Sequence, residues 1–242
     1  MGTLLEITSA DDGGAAFAEV ERLDRLLSTF KDGSEVSRLN RAAGAGPVKV
    51  SDDLWSILQV SSSVWAASGG AFDPTYSSSP PARGFGRLRL DASARSVELP
   101  AGARLDFGGV GKGYALDAAA SALRARGISS AFLNFGGQVY ALGAWEVETP
   151  GARLPLRDAS ASTSGDAEQP GHIVAPGSWR PARKAGSATV VLPSAAEADA
   201  WSTALFAAGP KALPRDFPGC ALVVSDEGGR PERFGHCPRR VP

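Results

Sequence analysis

Apolar positions recur at three- and four-residue intervals in two early stretches of the chain. Phe17, Val20, Leu23 and Leu27 mark one amphipathic helix, and Leu54, Ile57, Leu58, Ser61 and Trp65 form the buried stripe of a second. Between them Ser34 is placed to cap a short helix through Asn40. Ser51 caps the second long helix, and Gly69-Gly70 ends it. Residues 3–8 alternate and predict a first strand, while 87–91 and 95–99 predict a hairpin. Further strands are predicted at 130–134 and 137–142, weaker ones at 145–149 and 154–157, then Val190 to Leu192, with Ala221 to Ser225 as the last. Residues 77–86 and the Ser-, Gly-, Pro- and Arg-rich stretch 158–186 read as loop. Helices gathered early and strands joined by short turns predict one α+β domain over residues 1–242, with a mixed, mainly antiparallel sheet and packed helices.

The segment Leu105-Asp106-Phe107-Gly108-Gly109-Val110-Gly111-Lys112-Gly113 interrupts this pattern. It reads as a strand end carrying an acid, a glycine-rich turn, and a lysine opening a helix that runs to about Arg126. Glycines let backbone N–H groups approach a ligand closely, and a helix start offers unpaired donors and the positive end of its dipole. Lys112 adds a full charge where phosphate oxygens would sit. Two familiar phosphate motifs are excluded. A P-loop wants glycine at Asp106 and Ser or Thr at Gly113, and a dinucleotide fingerprint wants its third glycine at Tyr114.

Composition narrows the function classes. The chain is 43% hydrophobic and 21% charged with a net charge of −1, an ordinary globular balance that points to neither nucleic acid nor an anionic membrane. No apolar run is long enough to span a bilayer, and acidic and glycine residues within the first dozen positions do not suit a signal peptide. The chain reads as cytoplasmic as it stands, or as exported if a leader has been removed. Cys220 and Cys237 are either two free thiols or, in an oxidising compartment, the ends of a loop of about 17 residues worth roughly 3 kcal/mol when closed.

A second candidate site lies near the C-terminus. Ser194 and Glu197 form a capping box, and on the helix that follows Asp199 and Thr203 share one face. The pair reads as a surface hydrogen bond or as two hard oxygen ligands suited to Mg²⁺.

Taken in order, these segments resemble the FAD:protein FMN transferase (ApbE) family. Met1-Gly2-Thr3 resembles its entry motif, and Leu27-Ser28-Thr29-Phe30 through Ser34 to Asn40 its "lSTy…SEIsrLN" segment. Residues 69–75 match "GGAFDPT", residues 105–117 resemble "DLGGIAKGYAVD", Asn134-Phe135-Gly136-Gly137 resembles "NLGG", and residues 198–206 match "ADAlaTALF". The resemblance implies a T-fold-related domain that cleaves FAD, attaches FMN to a Ser or Thr hydroxyl of an acceptor protein and releases AMP. Its alternative is a relative that binds or slowly hydrolyses FAD and has lost the transfer.

The resemblance also implies site residues. Asp199 and Thr203 would bind Mg²⁺ by side chain and Gly109 by its carbonyl. Met1, Phe30, Ala71, Phe72, Asp73, Asp106, Lys112, Thr163, Ser164 and Ile173 would line the FAD site. His172 would be the acid/base, since His172-Ile173-Val174 resembles the start of "HIIDPrTG". Two departures stand out. Ala175 occupies the place of that motif's aspartate, and the chain between Thr75 and Asp106 is shorter than the family pattern by a helical segment.

Overall fold

The computed structural model describes residues 4–10, 13–166, 171–182, 186–225 and 228–237. Its frame is a seven-stranded sheet in the order β1-β5-β6-β7-β8-β9-β10. The strands are β1 (Leu5–Ser9), β5 (Ala131–Phe135), β6 (Gln138–Thr149), β7 (Ala152–Gly165), β8 (Ser187–Leu192), β9 (Cys220–Val224) and β10 (Glu232–Gly235). A small sheet of β2 (Val48–Lys49), β4 (Ser96–Glu98) and β3 (Arg89–Asp91) stands apart from it. Every strand pairing among the described residues is antiparallel. The α+β expectation holds.

The helices are α1 (Gly14–Leu27), α2 (Glu35–Arg41), α3 (Asp52–Ala67), α4 (Gly111–Ala125) and α5 (Ala195–Ala208). Three carry the serine caps expected of them. Ser34 accepts from the Ser37 amide, Ser51 from Leu54 and Ser194 from Glu197. The buried stripe of α1 is Ala16, Val20, Leu23 and Leu27, whereas Phe17, read as part of it, is 42% exposed. Helix α5 is buried almost all round, as an element clamped between α3, α4 and the face of β7 and β8 must be.

Three expectations change. The weak strands at 145–149 and 154–157 are parts of two long strands, and β7 runs on to Gly165 through residues read as loop. Its inward Ser162 and Ser164 find their partners on α5, a contact that local sequence cannot display. Strand β9 is not the last, since β10 pairs with it. Cys220 and Cys237 are joined as a disulfide, so the free-thiol reading is set aside. The bridge ties β9 to the segment beyond β10, with Cys220 packed among Leu154, Leu156, Ala161 and Leu222. Closing a loop of this length removes unfolded-state freedom worth roughly 3 kcal/mol. Reduction should therefore lower the unfolding free energy in chemical denaturation by that amount, with the midpoint falling accordingly, and reoxidation should restore both. An unchanged midpoint would show that the bridge contributes nothing.

Candidate active site

The loop that leaves α3 forms one wall of a cleft of about 990 Å³. Ala71 and Phe72 are buried in that wall. Asp73 uses its carboxylate to hold the loop in shape. It accepts from the Thr75 amide at 2.8 Å, the Thr75 hydroxyl at 2.6 Å and the Phe85 amide at 3.2 Å. The Thr75 hydroxyl in turn accepts from the Gly84 amide at 2.8 Å. The short connection between Thr75 and Asp106 is thus pinned by the half-buried Asp73 carboxylate and the buried Thr75 hydroxyl, with Ser78 tied to Arg104 further along, and has no helix longer than the single 3₁₀ turn at Phe85–Arg87.

Opposite lies the glycine-rich turn. Leu105 and Asp106 are not the end of a strand, as expected, but extended loop held by side-chain and loop partners. The Asn40 amide group accepts from Leu105 N at 2.7 Å and donates to Leu105 O at 2.8 Å, and Asp106 N donates to Pro74 O at 2.8 Å. This last bond places Asp106 beside Tyr76. The Tyr76 hydroxyl is pushed up to about 12 by burial and then by the neighbouring Asp106 charge, so it stays protonated and donates to that carboxylate. The Asp106 carboxylate also accepts from Gly108 N at 2.8 Å. Lys112, in the first turn of α4, faces the same space.

Helix α5 closes the floor. Asp199 is only 3% exposed, which removes the surface-pair reading. Its carboxylate accepts from Gly113 N at 3.1 Å and lies 3.6 Å from the Lys112 ammonium. Behind it runs a chain of buried hydroxyls. Ser162 donates to Asp199 at 3.4 Å and shares a 3.1 Å bond with Ser202, which shares a 2.8 Å bond with Ser164. One turn along α5, Thr203 meets Gly109 so closely that a Cβ there would lie 2.8 Å from the threonine hydroxyl. A side chain at position 109 would have to displace Thr203.

The remaining wall comes from β7 and the segment 171–182. Thr163 and Ser164 line the cleft, as do His172, Ile173 and Trp179. Ile173 is buried and anchors the segment, while His172 is exposed at the opening. Phe30 sits at the rim 91% exposed, an aromatic face that stabilises nothing in the chain itself. Of the expected site residues the cleft thus gathers Phe30, Ala71, Phe72, Asp73, Asp106, Gly109, Lys112, Thr163, Ser164, His172, Ile173, Asp199 and Thr203. Met1 lies outside the described residues.

The donors on α5 suit a hard divalent cation. A buried carboxylate, a hydroxyl and a backbone carbonyl beside a cradle that a Cβ would fill are oxygen ligands of the kind Mg²⁺ takes, with the remaining positions left to substrate phosphates. Among the described residues no three His, Cys, Asp or Glu side chains cluster as a metal site.

A family model described as the ApbE family matches residues 1–216. The chain belongs to the ApbE family. It is 29% identical to the FAD:protein FMN transferase of Klebsiella pneumoniae (strain 342), over 93% of this chain and 83% of that protein. Against the FAD:protein FMN transferase of Rhodobacter capsulatus it is 32% identical over 88% of this chain and 51% of that longer protein. The ApbE protein of Thermotoga maritima superposes with a TM-score of 0.80 at 25% identity, covering 96% of each chain. The flavin transferase ApbE of Vibrio cholerae shares the fold at a TM-score of 0.79 and 21% identity, over 97% of this chain and 94% of that one.

Several residues of this ApbE-family cleft escape a reading from sequence. Tyr76 follows directly on the "GGAFDPT" segment, and its aromatic ring next to an acid-bearing turn is the one available signal. Trp179 stands beyond the altered motif with a φ of 54° and carries the Arg83 guanidinium 4.7 Å above its ring. Ser162 and Ser202, which stand behind Asp199 rather than in the lining, lie in stretches whose small residues advertise nothing until β7 and α5 meet.

Proposed function

We propose that the protein is a Mg²⁺-dependent FAD:protein FMN transferase, which moves FMN from FAD onto a Ser or Thr hydroxyl of an acceptor protein and releases AMP. The observation that supports this most is the convergence of Asp199, Thr203, Gly109 and Lys112 on one floor of the cleft. They come from two helices and a turn, and they supply oxygen ligands and a cation where a pyrophosphate needs both. In the reaction the acceptor hydroxyl oxygen bonds to the flavin-side phosphorus. The bond from that phosphorus to the bridging oxygen breaks, and AMP departs with the bridging oxygen. The hydroxyl proton passes to His172 at the cleft opening. Asp199, Thr203 and the Gly109 carbonyl would hold Mg²⁺, which would supply charge neutralisation at the pyrophosphate. Phe30 offers its exposed face to the flavin ring, and Lys112 holds phosphate oxygens.

Ala175 in place of the motif's aspartate favours a second reading, a flavin-binding relative without transfer. The disulfide supports an oxidising, periplasmic or otherwise exported setting rather than the cytosol. No helix among the described residues is long and apolar enough to cross a membrane.

Intact-mass analysis of candidate acceptor proteins after incubation with FAD and Mg²⁺ decides between the readings. We expect the mass of one FMN on an acceptor, AMP in equal amount, and neither when Mg²⁺ is chelated. FAD bound with no acceptor modified supports the binding protein. Absence of both FAD binding and transfer overturns the two together.

A further inference from the structure

Helix α4 and helix α5 meet through a contact that the reaction described above does not use. Asp117 stands on α4 one turn beyond Gly113, on the same face, opposite the first turn of α5. Its carboxylate accepts from the Ser194 hydroxyl at 2.9 Å, the Ala195 amide at 2.8 Å and the Ala196 amide at 3.0 Å. The two amides are donors that a helix start leaves without intrahelical partners, and here another helix satisfies them. The same crossing is tightened by Gly113, where a Cβ would lie 2.1 Å from the Ala195 carbonyl oxygen. Gln138 of β6 donates to that carbonyl at 2.8 Å.

From this geometry we infer that Asp117 is a positioning residue for the metal ligands: it fixes the register of α5 against α4, and so sets Asp199 and Thr203 against Gly109 and Lys112. The inference rests on reading Asp199 and Thr203 as Mg²⁺ ligands.

The chain of contacts is short. Asp199 lies one turn after Ala195, the residue Asp117 holds, and its carboxylate returns to Gly113 N at 3.1 Å, one turn before Asp117. The two helices are therefore pinned at both ends of a closed loop of bonds. The rise of an α-helix is about 1.5 Å per residue, so a slip of α5 by less than one residue step is enough to separate ligands that must meet on one ion. Holding Asp117 here is costly, since burial pushes its carboxyl up from the usual range, with the Ala196 and Ala195 amides, the Ser194 hydroxyl and the Arg124 charge opposing. A helix needing only a cap has one already in Ser194, which serves the Glu197 amide itself.

The test is Mn²⁺ titration into the FAD-loaded full chain, with free Mn²⁺ read by electron paramagnetic resonance, for wild type, Asp117→Asn, Ser194→Ala and Ser51→Ala. Ser51→Ala removes the cap of α3, away from the cleft, and serves as a control for lost stability. Asp117→Asn should weaken Mn²⁺ binding about tenfold, within the range that partners behind a metal's own ligands are worth. Its FAD affinity without metal should stay within about twofold. Ser194→Ala, which removes one of the three donors, should weaken Mn²⁺ binding in the same direction but less, and it carries the test should Asp117→Asn not fold. Ser51→Ala should lose melting temperature with Mn²⁺ affinity unchanged. Mn²⁺ affinity held at the wild-type value in both Asp117→Asn and Ser194→Ala while their melting temperatures fall would reduce Asp117 to a helix cap and overturn the inference alone. A wild-type protein that takes up no Mn²⁺ overturns the metal reading and this inference with it.

Discussion

Asp199→Asn should abolish Mg²⁺-dependent release of AMP from FAD while the protein stays folded. Asp199 is the single carboxylate of the proposed ligand set, and a hard cation is poorly held by a hydroxyl and a carbonyl alone. Outer-shell partners of a metal are themselves worth about 10–100-fold, so loss of the ligand should lower the rate by more than roughly a hundredfold. Asparagine is the informative replacement because Asp199 is buried and already engaged. It accepts from Gly113 N and sits beside Lys112. Alanine would strand the buried amide of Gly113, at about 1–3 kcal/mol, and would confuse a folding defect with a chemical one. Asparagine keeps an acceptor oxygen for that amide, removes the charge, and turns the oxygen that faces Ser162 and Lys112 into an amide donor. AMP release by the variant at the wild-type rate, measured chromatographically with Mg²⁺ in excess, would falsify the metal assignment. A drop accompanied by an unchanged melting temperature supports it.

What the chain reveals before folding is what its neighbours in sequence decide. The caps at Ser34, Ser51 and Ser194 were legible because a cap is settled within four residues, and each accepts the amide expected of it. The stripe of α3 was legible for the same reason at Leu54, Ile57, Leu58 and Ser61, but its last place falls to buried Val64, and Trp65 is only half-buried. The far half of β7 was not. Ala159-Ser160-Ala161-Ser162-Thr163-Ser164 has the small polar composition of a loop, and it becomes a strand because Ser162 and Ser164 satisfy their hydroxyls against Asp199 and Ser202 of α5. Phe17 misled because periodicity locates a face but not what covers it. Ala16 fills that place, and Phe17 turns outward.

The cleft divides in the same way. The i, i+4 spacing of Asp199 and Thr203 put them on one face of a helix, but a spacing carries no depth, and only packing against α4 shows the carboxylate to be buried. Asp117 lay within the segment resembling the family pattern and received no role, because its partners are 77 to 79 residues away. The glycines follow the same logic. Gly109 and Gly113 look like generic turn residues in sequence, and in the fold each marks a place where a side chain would collide with α5.

His172→Ala should lower FMN transfer at least tenfold while FAD affinity stays within a few-fold. Proton removal by a positioned base is worth roughly 10²–10⁴-fold, and His172 is the histidine that lines the cleft. It is exposed and lines the cleft next to buried Ile173, so the chain anchors its backbone while the side chain stays accessible to a bulky acceptor. Ala175 does not supply the carboxylate that the family pattern places three residues on, so the proposed base works without that orienting charge, and the lower end of the range is the expected one. Both readouts come from single-turnover transfer to an identified acceptor and from FAD titration of the same preparations. Equal transfer by wild type and variant would remove His172 from the chemistry. A tenfold or greater loss of transfer with unchanged FAD binding would assign the proton to it, because a residue that merely shaped the cleft would weaken FAD binding as well.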